Sequence, residues 1–293
     1  MMNNFAKCPL VVIAGPTASG KTSLAISIAK EFGGEIICAD SRTVYKGMDI
    51  GTAKPSKLEQ DGVPHWGLDL VNPDEYFSAA EFKSYALKKI NEIRLRGNIP
   101  FLVGGTGLYI DSVIFDYQFS KKADLGRREL LSAMTLEQLC NYCNINNILL
   151  PENKNNKRYI INAIERSGTS PSRRRVPIDG TIIVGITTDR ALLRERIKLR
   201  VEQIFNDGVV NEAKMLGDIY GWDNEALKSN AYILVHSNLL GEISEVDMKT
   251  RLAIIDWHLA KRQLTWLRRN PFIYWGTIDE LRVYFFDQLA KCD

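Results

Sequence analysis

The segment Gly15-Pro16-Thr17-Ala18-Ser19-Gly20-Lys21-Thr22 decides the fold. It has the Gly-x4-Gly-Lys-Thr spacing of a phosphate-binding P-loop, which requires a strand before it and a helix after it. Residues 10–14 form an apolar run that predicts a buried strand, and residues 23–31 have apolar side chains at helical spacing. The glycines let backbone N–H groups surround a phosphate, Lys21 adds a charge and Thr22 offers a hydroxyl for Mg²⁺.

Further strands are predicted at residues 35–39, 100–103 and 181–186. A helix is predicted over 78–96, with Ser78 as its N-cap, and another over 245–269. A strand, a helix and a second strand in succession imply a parallel sheet. The predicted fold class is therefore α/β, a P-loop NTPase-like parallel sheet flanked by helices.

The strand–helix alternation is lost between about residues 117 and 180, where the sequence is polar, helical and rich in asparagine. We therefore predict a P-loop core formed by residues 1–117 and 181–293. Residues 118–180 are predicted to form a small helical insertion domain.

Asp40 follows the predicted strand 35–39, and Thr106 lies in the Gly104-Gly105-Thr106-Gly107 turn after the strand 100–103. Ligands of open α/β sheets bind at the carboxyl ends of the strands, so both side chains are expected at one crevice. The carboxylate of Asp40 could hold Mg²⁺ or act as a general base. The residue types alone leave both roles open.

The composition is that of a globular protein, with 45% hydrophobic and 25% charged residues. Its five cysteines are scattered and suggest no disulfide framework, which favours a reducing compartment. No apolar run reaches the roughly 20 residues that span a membrane. We expect a cytoplasmic protein without a membrane partner.

The net charge of +3 conceals two basic stretches. Residues 157–175 and 249–269 each contain six lysines and arginines and a single acidic residue. Such clusters suit contacts with nucleic-acid phosphates, although they also occur on solvated helix faces.

Several motifs together resemble one family, the tRNA dimethylallyltransferases, also called isopentenyl-diphosphate:tRNA transferases. The resemblance is carried by residues 15–22, the segment DSRTVYKGMDIGTAKP at 40–55, and Pro64-His65 with Asp69. The segments LVGGTGLY at 102–109 and AKRQLTW at 260–266 complete it. These motifs extend over most of the chain, and the segment at 40–55 is more selective than the P-loop.

The resemblance implies transfer of a dimethylallyl group from dimethylallyl diphosphate to N6 of adenosine 37, next to the tRNA anticodon. It implies that Mg²⁺ assists, with Thr22 as a ligand, that Asp40 is the general base and that Thr106 contacts the adenine. Diphosphate binding is assigned to Gly15, Pro16, Thr17, Ala18, Ser19, Gly20, Lys21, Thr22 and Lys228. Contacts with the tRNA anticodon stem-loop are assigned to Asp40, Ser41, Arg42, Thr43, Thr106, Arg128, Arg158, Lys261 and Arg262. The enzyme is expected to be a monomer.

The sequence departs from the family pattern at several positions. Lys228 stands where the family usually has Arg, Asn162 replaces an Arg, and Arg42-Thr43 replaces an apolar residue and Gln. Two alternatives remain. One is a P-loop kinase or ATPase that acts on a small molecule, with Asp40 as a Mg²⁺ ligand, and the other, which the departures motivate, is an inactive tRNA-binding relative.

Overall fold

The computed structural model describes residues 8–119, 125–151, 153–166 and 172–290, with the side chains of Leu125, Arg158 and Asn230 left out of that description. Within these ranges six strands form one sheet in the order β3-β2-β4-β1-β5-β6, and every neighbouring pair is parallel. The strands are β1 Leu10–Ala14, β2 Gly34–Ala39, β3 His65–Trp66, β4 Ile99–Gly104, β5 Thr181–Ile186 and β6 Tyr274–Gly276. The α/β fold prediction is confirmed.

Eleven helices lie in the described ranges. They are α1 Lys21–Glu31, α2 Ala79–Leu95, α3 Gly107–Ile114, α4 Leu125–Ala133, α5 Leu136–Ile145, α6 Lys157–Glu165, α7 Arg190–Asn206, α8 Val209–Tyr220, α9 Asn230–Leu239, α10 Glu245–Leu267 and α11 Ile278–Leu289. The predicted cap of α2 is present as a full capping box, in which the Ser78 hydroxyl accepts from the N–H of Glu81. No described helix has the length and apolarity needed to cross a membrane.

The chain divides into two compact units, residues 1–114 with 177–293, and residues 115–176. The predicted insertion at 118–180 thus corresponds to a unit whose bounds lie slightly earlier in the chain. That unit contains α4, α5 and α6, which pack around Leu131, Leu139, Cys143, Ile160 and Ile164. It has its own small hydrophobic core.

The larger unit contains two hydrophobic cores. In the first, side chains of the sheet such as Ile13 and Phe101 pack with α1 and α11. In the second, α7, α8, α9 and α10 pack around Tyr232, Leu252 and Met48. β1 lies inside the sheet between β4 and β5, so the P-loop leaves from its interior. The helical core lies beside this loop and supplies further residues to the site.

Candidate active site

The P-loop connects β1 to α1 through two residues in the left-handed region, Ala18 with φ 60° and Gly20 with φ 88°. Gly20 is the N-cap of α1 and has no side chain to cap it. The first N–H groups of α1 are therefore open to an anion, which the positive end of the helix dipole also attracts. Ser19 is fully buried, and its hydroxyl has no hydrogen-bond partner in the described part of the chain.

Helices α7 and α10 hold the P-loop from outside. The backbone N–H of Thr17 donates to Oε1 of Gln263 at 2.8 Å, and Arg200 Nη1 donates to Thr17 Oγ1 at 2.7 Å. Arg196, one turn before Arg200, donates to the carbonyl of Ser19 at 3.3 Å. No motif in the sequence marks these two arginines, although their spacing of four residues places both on one face of α7.

Lys21 is the first residue of α1, and its Nζ donates to the carbonyl of Pro16 at 3.1 Å. Burial lowers the pKa of Lys21 to about 8; the Asp40 carboxylate opposes this shift, whereas the Arg200 charge adds to it. The ammonium group is thus held in a desolvated position where an anionic ligand would restore its usual pKa.

Asp40 and Thr106 follow neighbouring strands, since Ala39 of β2 pairs with Gly104 of β4. The Thr106 hydroxyl accepts a hydrogen bond of 3.2 Å from the N–H of Ser41. Asp40 Oδ1 accepts one of 2.8 Å from the N–H of Arg42. A Cβ at Gly104 would collide with the carbonyl oxygen of Ala39, so this close approach of the two strand ends requires glycine.

One cavity of about 320 Å³ joins the P-loop to these strand ends. Of the site residues predicted from the sequence, the cavity is lined by Thr17, Lys21, Thr22, Asp40, Ser41, Arg42, Thr43, Thr106 and Arg262. Further lining comes from Cys38, Gly51, Thr52, Ala53, Arg200, Ser229, Asp256 and Gln263, together with apolar residues such as Ile36, Val103, Ile204, Leu252 and Leu259. The arrangement offers cations at the P-loop, a carboxylate at the strand end and apolar surface around both.

Lys228 does not line this cavity. Its side chain is about half exposed, and Nζ forms an ion pair of 2.7 Å with Glu225, which raises the pKa of the lysine. In this structure Lys228 therefore lies outside the cavity lining, and its contact with the diphosphate stays a prediction. Arg200, which comes from the facing helix α7, is a cation that donates directly to Thr17 of the P-loop.

The other residues predicted to contact tRNA lie in different surroundings. Lys261 and Arg262 are exposed on α10, and Lys261 Nζ lies 5.9 Å from the centre of the Trp257 ring. In the unit 115–176, Arg128 donates to Glu165 at 2.9 Å and to Asn162 at 3.2 Å. The side chain of Arg158 is outside the described residues.

Thr43 is buried in the cavity wall, and its Oγ1 lacks a hydrogen-bond partner among the described residues. Those residues also contain no group of three or more His, Cys, Asp or Glu side chains able to hold a metal ion. Oxygen donors for a hard cation beside the P-loop are instead the hydroxyl of Thr22 and the carboxylate of Asp40, both in the cavity lining.

The fold and the site define a P-loop α/β protein whose phosphate loop and strand-end carboxylate face a single cavity. The family model for IPP transferases matches residues 43–270 of this chain. A tRNA dimethylallyltransferase of Bacillus cereus (strain 03BB102) is 38% identical over 294 residues, covering 95% of this chain and 93% of that protein. The chain therefore belongs to the IPP transferase family, as the sequence motifs predict.

Solved structures agree with this assignment. The full-length tRNA isopentenylpyrophosphate transferase of Bacillus halodurans is 34% identical, with a TM-score of 0.74 and 97% of both chains covered. The corresponding enzyme of Staphylococcus epidermidis is 33% identical, with a TM-score of 0.71, covering 96% of this chain and 97% of that one. A eukaryotic dimethylallyltransferase acting on tRNA shares the fold, with a TM-score of 0.72 at 22% identity, covering 96% of this chain and 76% of its own.

Proposed function

We propose that this protein transfers the dimethylallyl group of dimethylallyl diphosphate to N6 of adenosine 37 in tRNA, giving N6-(dimethylallyl)adenosine. The observation that carries the proposal is the shared cavity, in which Lys21 and Thr22 of the P-loop face Asp40 and Thr106 at the strand ends. A donor diphosphate on the P-loop and an adenine at the strand ends would therefore meet within one cavity.

The proposed reaction is a displacement at C1 of the dimethylallyl group. The N6–C1 bond forms, the C1–O bond breaks, and diphosphate leaves with the bonding electrons. An exocyclic amine of adenine is a poor nucleophile, so removal of its proton by the Asp40 carboxylate assists bond formation. The N–H of Arg42 holds this carboxylate at 2.8 Å, which fixes the direction in which it can accept the proton.

Thr106 suits a contact with the adenine ring. Its oxygen already accepts from the N–H of Ser41, so its own O–H remains available to donate to a ring nitrogen. We propose that this hydrogen bond orients the base so that N6 points to Asp40. The base has to leave the stack of the anticodon loop to enter the cavity, as bases do in other enzymes that act on them.

The charge on the leaving diphosphate is matched by the P-loop N–H groups, Lys21 and Arg200. Mg²⁺, when bound, would neutralise further charge on the leaving group, and the residues present fit it: the Thr22 hydroxyl in the cavity lining would supply an oxygen ligand and the diphosphate would supply others, which leaves the Asp40 carboxylate to act as the base. Ser19, whose buried hydroxyl lacks a protein partner in the described chain, is a further donor at the loop.

We propose that the tRNA backbone is held by Arg262 and Lys261 on α10 and by Arg128 and Arg158 of the insertion. Lys261 and Arg262 are exposed cations, which suit phosphate contacts that bind without reading base sequence. The assignment of Arg128 and Arg158 rests on the family resemblance. We also propose that the enzyme acts as a monomer, since a single chain by itself brings the P-loop, Asp40 and Thr106 to a common cavity.

The test is a transfer assay with purified protein, Mg²⁺, dimethylallyl diphosphate and an unmodified tRNA that carries adenosine 37. The tRNA is then digested to nucleosides and measured by mass spectrometry. We expect N6-(dimethylallyl)adenosine, and none when the donor is omitted or when adenosine 37 is replaced by guanosine. A lack of product although the tRNA binds, or turnover of ATP in place of the donor, would refute the proposal.

A further inference from the structure

A buried carboxylate lies behind the cavity, on the helix α8. Glu212 is only 9% exposed, and its two oxygens accept four hydrogen bonds. Three come from consecutive backbone N–H groups, those of Asp49 at 2.9 Å, Ile50 at 2.7 Å and Gly51 at 2.8 Å. The fourth comes from the hydroxyl of Tyr232 at 2.7 Å.

These four donors are uncharged, which is unusual for a carboxylate taken out of water. Three successive N–H groups that converge on one anion form a concave site of the kind that usually binds a ligand phosphate. Here the protein's own Glu212 fills that site and fixes the backbone of residues 49–51. Burial and the adjacent charge of Glu212 raise the pKa of Tyr232, so its hydroxyl remains a donor.

The segment fixed by Glu212 continues directly into the cavity wall, where Gly51, Thr52 and Ala53 are lining residues. The carbonyl of Thr52 accepts from Arg200 Nη2 at 3.1 Å. Arg200 Nη1 donates to Thr17 of the P-loop at 2.7 Å. A continuous chain of short contacts thus runs from Glu212 through Thr52 and Arg200 to the phosphate loop.

Two details show that this series of contacts requires a particular geometry. A Cβ at Gly51 would lie 2.6 Å from Cζ of Tyr232, so the loop approaches α9 as closely as only glycine allows. Arg200 uses two of its nitrogens on protein acceptors, and its buried Nε has no partner in the described chain. The guanidinium is therefore oriented by the protein and keeps further N–H donors, that of Nε among them, for a ligand.

We propose that Glu212 is a positioning residue for the donor site, which fixes residues 49–51 and thereby holds Arg200 in the orientation that binds the diphosphate. This inference rests on the proposed function and extends it to a residue outside the cavity. It also gives a role to Gly51 of the motif at 40–55, since a Cβ at this position would meet the Tyr232 ring.

The test measures binding of inorganic diphosphate with Mg²⁺ by calorimetry, in the wild type and in Glu212→Gln. The amide has nearly the same shape, but it has one acceptor oxygen, so the N–H of Gly51 or those of Asp49 and Ile50 lose their acceptor. We expect diphosphate binding to weaken about tenfold, from the loss of a hydrogen bond to a charged group. The affinity for tRNA should change less than twofold.

The matched control is Val235→Ala, a fully buried residue of the same core as Tyr232. It should lower Tm without changing diphosphate affinity, which separates general destabilisation from positioning. Coupling is tested with Arg200→Lys, which keeps the charge but cannot bridge Thr17 and Thr52. In the double variant, Glu212→Gln should add less than a twofold loss to that of Arg200→Lys.

An unchanged diphosphate affinity in Glu212→Gln, or losses that simply multiply in the double variant, would overturn the inference while leaving the proposed function intact. If Glu212→Gln fails to fold, Gly51→Ala tests the inference in its place, because the added methyl group pushes the same loop away from Tyr232. This variant should show the same selective loss of diphosphate affinity. Failure of the wild type itself to bind diphosphate would refute the donor site and this inference together.

Discussion

The Oγ1 atom of Thr106 accepts a hydrogen bond of 3.2 Å from the backbone N–H of Ser41, which ties the ends of β4 and β2 together. Ser41 directly follows Asp40, so this bond sets the position of the carboxylate relative to the Thr106 hydroxyl. The two groups proposed to contact the adenine are thereby placed by rigid strands, as precise positioning of reacting groups requires.

Asp40→Asn tests the general base. The new side chain keeps an oxygen that accepts from the N–H of Arg42, so the local backbone should be retained. It cannot take the proton from N6, and we expect turnover to fall about 10²–10⁴-fold. The measurement is single-turnover transfer with donor and enzyme in excess over tRNA.

In the same variant, tRNA affinity and Tm should remain close to those of the wild type. Turnover within a factor of two of the wild type would exclude Asp40 from proton removal. A parallel loss of tRNA binding would instead show that the carboxylate serves in recognition.

The pKa of Lys21 makes donor binding depend on pH. Since burial lowers this pKa to about 8, the lysine is charged at pH 7 and mostly neutral at pH 9. An anionic ligand prefers the charged form, so affinity is retained below pH 8 and lost above it. We expect the Kd of dimethylallyl diphosphate to rise about tenfold between pH 7 and pH 9.

Lys21→Arg provides the control, because a guanidinium stays charged across this range. Its Kd is expected to be higher than that of the wild type at pH 7, since Arg does not reproduce the lysine geometry. This Kd should stay nearly constant up to pH 9. Any ionisation of the ligand affects both proteins equally and cancels in their ratio. Parallel pH profiles would show that Lys21 does not titrate in this window.

Much of the fold could be predicted because the deciding signals are local. The P-loop spacing, the apolar run of β1 and the cap at Ser78 act within a few residues, and the structure places each as expected. The motifs also identify the family correctly. β3 and β6 were missed because strands of two and three residues carry no periodic pattern.

The parts of the site that could not be predicted from the sequence are those that depend on long-range packing. Arg200 and Glu212 meet the P-loop and the 49–51 segment only because α7 and α8 fold against them. Nothing near these residues in the sequence marks them as functional. Lys228 is the opposite case: its place in the family pattern predicts a diphosphate contact, whereas in this structure its Nζ forms an ion pair with Glu225.

Replacement of Glu35 tests how much its buried hydrogen bonds contribute to the stability of the fold. This nearly buried carboxylate of β2 accepts hydrogen bonds from Trp66, Arg96 and Asn98 at 2.7–2.9 Å. Replacement by Gln removes the charge from this cluster, so Glu35→Gln should lower the free energy of unfolding by about 1–3 kcal/mol. Denaturant unfolding at pH 7 measures this difference.

The difference should also depend on pH. Burial raises the pKa of Glu35, but the three hydrogen-bonding partners outweigh it and the pKa is lowered overall. A carboxyl with a lowered folded pKa stabilises the protein above its unfolded pKa, near 4.5, and loses that contribution as pH falls through the folded value. The wild type should therefore approach the variant below pH 4.5; a constant difference down to pH 3 would contradict this assignment.

The basic face of α10 should make tRNA binding sensitive to salt. Each lysine or arginine that contacts a phosphate releases a counterion, so the logarithm of the affinity falls linearly with the logarithm of the salt concentration. We expect Lys261→Ala and Arg262→Ala each to reduce that slope by about 1.

The control is Lys30→Ala, because Lys30 pairs with Asp61 at the C-terminal end of α1, away from the carboxyl edge of the sheet. The slopes are measured by fluorescence anisotropy of a labelled anticodon stem-loop. The salt concentration is varied from about 50 to about 200 mM, a range over which such electrostatic effects are large. If all three variants keep the wild-type slope, the charges of α10 face solvent and the tRNA backbone lies elsewhere.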